Sequence, residues 1–190
     1  AILRQEGEVL ATAGNFNNEV GVPLTLLRLE AQHQFAVMEL GANHPGEIAW
    51  TTSLAQPDAA IINNVAAAHL EGFGSLEGVF HAKSEIFEGL SEGGTAIVNA
   101  DNEFWPKWQA KGIHCAFSLE EQSQPFHARD IVLNGQGCAE FVMVTPQGEL
   151  TLTLAIPGRH NVANALAAAA GTLALGASLA SVKAGLEQMA

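Results

Sequence analysis

The sequence predicts an α/β fold: three layers, with a mostly parallel sheet flanked by helices and a small antiparallel three-stranded sheet added to it. Three observations carry this. Short apolar runs alternate with stretches of helical spacing up to about residue 118; residues 126–156 switch to strict apolar–polar alternation around NGQG and PQG turns; and an Ala-rich run after PGRH returns to helical spacing.

The apolar runs VLATAG (9–14), FAVMELGA (35–42), AAIINNV (59–65), GTAIVNAD (94–101) and IHCAFS (113–118) are expected as buried strands. Between them VGVPLTLLRL, HPGEIAWTTSLA, SLEGVFHAKSEIFEGL and EFWPKWQAK have the spacing of helices with one apolar face. The order is therefore βαβαβαβ, which requires parallel pairing, and ligands of such sheets gather at the carboxyl ends of the strands. Residues 126–156 read as a three-stranded antiparallel meander within one main unit spanning 1–190. NVANALAAAAGTLALG is a buried helix stopped by glycine, and ASLASVKAGLEQM opens a last helix with serine at its cap. Residues 1–3, AIL, look like the tail of a helix, and the final helix runs to the last residues, so the chain reads as an excerpt.

Composition narrows the function. With 8 Lys and Arg against 20 Asp and Glu, and a formal charge of −12, the surface lacks the clustered cations that nucleic acid requires. No apolar run approaches the roughly twenty residues of a membrane span, and the start lacks the basic n-region of an export signal. The two cysteines, Cys115 and Cys138, form no CxxC pair, so neither a zinc site nor a disulfide framework is indicated. A cytoplasmic protein is expected.

Glu39 and His69 each follow a strand's apolar run, in ELGAN and AAAHLEG, where a carboxylate and an imidazole on one rim could hold a divalent ion. Lys83 lies fourteen residues after His69 on the next helix; as an amine it is a poor ligand, but carbamylated by carbon dioxide it becomes an anionic oxygen donor. Each has an ordinary reading too: a capping or solvated glutamate, a hydrogen-bonded core histidine, a snorkelling lysine. GANHPGEI (41–48) has glycines five apart but lacks the Lys-Ser/Thr pair of a phosphate loop, so it is not one. GNFNNEVGVP (14–23), with Asn17 and Asn18, is either a capped turn or a ligand-binding loop. Asn161 and Asn164, three apart on one helix face, could bond both edges of adenine, although on spacing alone capping is the commoner use.

Taken together, GNFNNEVGVPLTLLRL, VMELGANHPGEIAW, NNVAAAHLEGFGS, AKSEIFEGL, IVNADN and PGRHNVANALAAAA resemble, in order and along nearly the whole chain, the central ATP-binding domain of the Mur ligase family. The stretch GEIAWTTSLAQPDAAIINNVAAAHLEGFGS favours the members that join D-alanyl-D-alanine to UDP-N-acetylmuramoyl-tripeptide in peptidoglycan precursor synthesis. The resemblance implies an ATP-dependent amide-forming ligase working through an acyl phosphate with two magnesium ions. It implies that Glu39 and His69 serve the metals and that Lys83 is carbamylated. It further implies that His160, Asn161 and Asn164, with Asn102 of IVNADN, hold the nucleotide, and that Asn17 and Asn18 face the substrate carboxylate.

The family's GxxGK[ST] phosphate loop is absent from these residues, as are its N-terminal UDP-sugar domain and C-terminal amine-substrate domain. The resemblance therefore implies a domain truncated at both ends, inactive alone, whose partners are the other domains of the same chain. Two alternatives stand beside it: a sister enzyme such as the diaminopimelate- or lysine-adding ligase or folylpolyglutamate synthetase, and a noncatalytic binding module descended from such a domain.

Overall fold

A computed structural model describes all 190 residues, which divide into two compact units: residues 7–95, and residues 1–6 with 96–190. No helix is long and apolar enough to cross a membrane.

In the first unit, β1 (Val9–Ala11) leads through the GNFNN loop to α1 (Gly21–Leu26) and then to β2 (Phe35–Val37). The two strands pair in parallel, Leu10 opposite Ala36. After α2 (Glu47–Ala55), β3 (Ala59–Ile62) buries Ala60 and Ile62. A short α3 (Leu70–Phe73), α4 (Leu76–Ser84) and a 3-10 turn (Glu85–Gly89) follow. The strands are shorter than the apolar runs that announced them, because each run's last residues leave the ladder to form rim loops. The expectation that all these strands are buried is corrected at β2, where Ala36 and Val37 are exposed. An apolar run reports strand preference, whereas burial needs a covering layer.

Two features hold α2 in place. Glu85 presents both carboxylate oxygens to the Gly46 N–H, at 3.1 and 2.9 Å, and one of them also accepts the Ala49 N–H at 3.2 Å. This carboxylate thus caps a helix start that has no side-chain cap of its own, where the helix dipole favours negative charge. At the other end Thr52 donates its hydroxyl to the Ile86 carbonyl at 2.7 Å. Gly89 comes so near that a Cβ there would sit 2.4 Å from the Thr52 carbonyl oxygen. α4 starts on Ser75, whose hydroxyl accepts the Gly78 N–H.

The second unit contains β4 (Thr95–Asn99), α5 (Trp105–Ala110), β5 (Cys115–Ser118), β6 (Phe126–Leu133), β7 (Cys138–Thr145) and β8 (Gly148–Pro157). β4, β5 and β6 are parallel neighbours, and β6, β7 and β8 continue the same sheet antiparallel. The meander is therefore not a separate small sheet: Phe126 pairs beside Phe117 and carries the parallel sheet into it. α6 (His160–Ala174) lays its alanine-rich face on this sheet, burying Val162, Leu166, Ala169 and Ala170. Small side chains let helix and sheet approach closely. It ends before Gly176, which takes the left-handed conformation (φ 92°).

α7 (Leu179–Glu187) starts on Ser178, whose hydroxyl accepts the Ser181 N–H at 3.1 Å. Residues 1–3 are not a helix tail; a 3-10 turn (Leu3–Gln5) buries Ile2 and Leu3 beside α7. Glu6 then accepts the Ser178 N–H and the Ser181 hydroxyl, which lowers its pKa.

Replacing Glu85 by Ala leaves the start of α2 without its acceptor. A loss of about 1–2 kcal/mol is expected, read as a lower urea midpoint with an unchanged m-value; an unchanged midpoint would remove Glu85 as the cap.

Candidate functional site

In the first unit the rim is assembled from three loops tied to one another. The loop after β1 reaches the loop after β2: the Gly41 N–H donates to the Asn17 carbonyl at 2.7 Å, and a Cβ on Gly41 would lie 3.0 Å from the Asn17 amide. Glu39 is fixed beside this tie, because its N–H donates to the Thr12 hydroxyl at 2.9 Å; its carboxylate stands on an exposed residue. The loop after β2 in turn meets α3. Gly72 lies so close to the Asn43 carbonyl that a Cβ would fall 1.8 Å from its oxygen.

His69 opens α3 in the left-handed conformation (φ 54°), with its carbonyl accepting the Gly72 N–H. A non-glycine residue held there costs of order 1 kcal/mol, and such strain concentrates at functional sites. Lys83, on α4, closes the set: its Nζ donates to the Asn64 carbonyl at 3.1 Å, in the segment that leads to His69. Burial lowers the Lys83 pKa by disfavouring the ammonium.

The structure thus gathers the elements bearing Asn17, Glu39, His69 and Lys83 along one chain of contacts. Asn18 has a different task. Its Oδ1 accepts the Val20 and Gly21 N–H groups at 3.1 and 2.7 Å, so of the two readings open for this loop the side chain fulfils the capped turn.

No three His, Cys, Asp or Glu side chains are gathered as a metal-holding group. Glu39 and His69 could supply two donors, and a further oxygen would have to come from Lys83 after carbamylation or from a substrate. That donor set suits magnesium through the carboxylate and carbamate oxygens, with the imidazole nitrogen the weaker partner. A surface cavity of about 380 Å³ lies elsewhere in this unit, lined by Ser53, Gln56, Glu88, Gly89, Leu90 and Ser91, none of them a predicted site residue.

In the second unit His160, Asn161 and Asn164 lie in the first turns of α6, whereas Asn102 lies before α5. His160 folds its ring over Gly158, within 2.4 Å of where a Cβ would be, and Gly158 takes φ 113°. Asn161 donates from Nδ2 to the Pro157 carbonyl at 2.9 Å and accepts from Asn164 Nδ2 at 3.0 Å. The two asparagines therefore brace one another and do not cap α6, whose cap position is Arg159. Asn102 accepts the Phe104 N–H at 2.9 Å and opens the turn into α5.

Sequence reasoning missed the supports of this second cluster. The Asp101 carboxylate accepts the Ser118 hydroxyl and the Leu119 N–H, while the Ser118 hydroxyl accepts the Glu120 and Glu121 N–H groups. Glu120 then pairs with Arg159 at 3.1 Å. A serine ending a strand before two glutamates is a side-chain-to-backbone turn signal that could have located this support. Gly72 and Asn64 had no local signal, since their partners Asn43 and Lys83 are 29 and 19 residues away.

The family model of the Mur ligase middle domain matches residues 1–172. The UDP-N-acetylmuramoyl-tripeptide–D-alanyl-D-alanine ligase of Escherichia coli K12 is 54% identical over 192 residues, an alignment covering 100% of this chain and 42% of that protein. The Haemophilus influenzae protein of the same name is 53% identical over 180 residues, with 95% and 39% covered. Among solved structures, MurF from Acinetobacter baumannii superposes with a TM-score of 0.92 at 43% identity, covering 100% of this chain and 42% of that one. MurF from Thermotoga maritima in complex with ADP gives 0.81 at 26% identity, covering 96% and 43%. The chain thus spans 42% and 39% of the length of these curated relatives. The match of the family model to residues 1–172 places the chain in the Mur ligase family.

Proposed function

We propose that the chain is the central, nucleotide-handling part of a ligase that uses ATP to join D-alanyl-D-alanine to UDP-N-acetylmuramoyl-tripeptide in the cytoplasm. The observation that carries this reading is the 54% identity, over the whole chain, to a ligase named for that reaction. In the proposed chemistry the tripeptide's terminal carboxylate takes the γ-phosphoryl group and ADP leaves. The dipeptide's amine then attacks the acyl carbon, loses a proton and expels phosphate.

Magnesium, when bound, supplies the positive charge that lets a carboxylate approach the γ-phosphate. Glu39 and carbamylated Lys83 would hold it through oxygen, with His69 beside them. Asn17, whose carbonyl is tied to Gly41, would orient the substrate carboxylate, and Asn18 would keep that loop closed by capping it. In the other unit Asn161 and Asn164 would present their amides to adenine, with His160 and Asn102 flanking the nucleotide. The chain contains no GxxGK[ST] loop, so the backbone N–H cradle for the phosphates lies outside these residues.

Lys83 gives a direct test. Its neutral amine attacks carbon dioxide at carbon, forming an N–C bond and losing a proton, and burial holds its pKa below the ordinary lysine value. In the full-length enzyme, ¹³C-bicarbonate should yield a carbamate resonance that grows as pH rises and appears at lower pH than surface lysines allow. Lys83→Arg should abolish it. Lys83→Ala should lower turnover about a hundredfold and be partly recovered by a short carboxylic acid; unaltered turnover removes Lys83 from the mechanism.

The 190-residue chain alone is expected to bind Mg-ATP with a Kd no tighter than about 1 mM in calorimetric titration. Micromolar binding would show that the phosphate cradle is dispensable for affinity.

A further inference from the structure

β8 is the last strand of its sheet, and its segment Leu150–Ile156 reads LTLTLAI. Seven uncharged, proline-free residues, the first five alternating Leu and Thr, are the type of segment that pairs with copies of itself. An outer strand with unpaired N–H and C=O groups offers the template.

Leu152 lies opposite Phe141 on β7, and the Thr151 carbonyl and Thr153 N–H on either side of it face the open edge. Both are taken by side chains of α7. Lys183 Nζ donates to the Thr151 carbonyl at 2.6 Å, and Glu187 Oε2 accepts the Thr153 N–H at 3.1 Å. The two side chains are themselves paired at 3.0 Å. In a parallel ladder, one residue of an incoming strand donates its N–H to residue i−1 and accepts from residue i+1. The ammonium and the carboxylate stand in for that one residue.

Helix electrostatics do not account for the arrangement. A lysine four residues before a glutamate is the less favourable order, and a carboxylate at a helix's last residue opposes the dipole. An exposed i,i+4 pair also adds little to stability. The polarity of the β8 edge does account for it: a carbonyl at 151 calls for a donor at 183, and an N–H at 153 calls for an acceptor at 187.

We infer that the Lys183–Glu187 pair is a side-chain substitute for a strand residue, closing the β8 edge against pairing with β8 of a second copy of this chain. The occupant follows from the segment, since an identical LTLTLAI strand is the partner it matches. This inference does not depend on the proposed ligase activity.

The test uses the full-length enzyme with Lys183→Glu/Glu187→Lys, which keeps the ion pair and improves its order on the helix but reverses donor and acceptor toward β8. A Lys183→Ala/Glu187→Ala protein serves as the second variant. Both should speed exchange of the Thr153 amide by about tenfold or more at concentrations where they are monomeric, and give concentration-dependent dimers in sedimentation at higher ones. Adding Thr153→Pro, which removes the outward N–H, should return them to monomers. Monomers at every concentration, wild-type exchange at Thr153, or dimers that survive Thr153→Pro would each overturn the inference.

Discussion

The close approach of Gly72 to the Asn43 carbonyl is the constraint on which the rim of the first unit depends. With a Cβ only 1.8 Å from that oxygen, no other residue fits without moving backbone. The contact presses the loop after β2, which carries Glu39, against the helix that His69 opens. From there the Asn64 carbonyl reaches Lys83, and in the other direction the Gly41 N–H reaches Asn17. Four residues spread over 67 positions of the chain are thereby linked, three of them by backbone groups and Lys83 by its own amine.

The same economy appears in the second unit. Asp101 and Ser118 organise the turn after β5, and Glu120 of that turn meets Arg159 at the entrance to α6. Asn161 and Asn164 brace one another there. Mutual side-chain bonds of this kind fix the first turn of the helix before anything docks on it. Across both units carboxylates act at helix starts: Glu85 at α2 and Glu6 at α7, each from a distant segment. An acidic chain thus uses part of its charge where backbone N–H groups are unpaired.

Lys83 joins packing to chemistry. Its amine is placed by a carbonyl acceptor and partly withdrawn from water, which lowers the cost of losing its proton. Carbamylation needs such an amine and would turn a cation into an oxygen donor.

The sequence by itself determined the element types, because these rest on local periodicity. The Ala-rich α6, the Ser178 cap and the 126–156 meander could all be read from spacing and turn residues. The motif order also disclosed the family, since GNFNN, ELGAN, AAAHLEG and PGRHN keep their order along the chain. Only the tertiary structure decided what depends on pairing distant residues. It showed that Asn18 caps α1, that Asn161 braces Asn164, and that β2 is open to solvent. It also showed that the meander continues the parallel sheet and that Glu85 caps α2. These outcomes turn on which backbone groups lie opposite one another after folding, and periodicity within one segment carries no information about the segment it will meet.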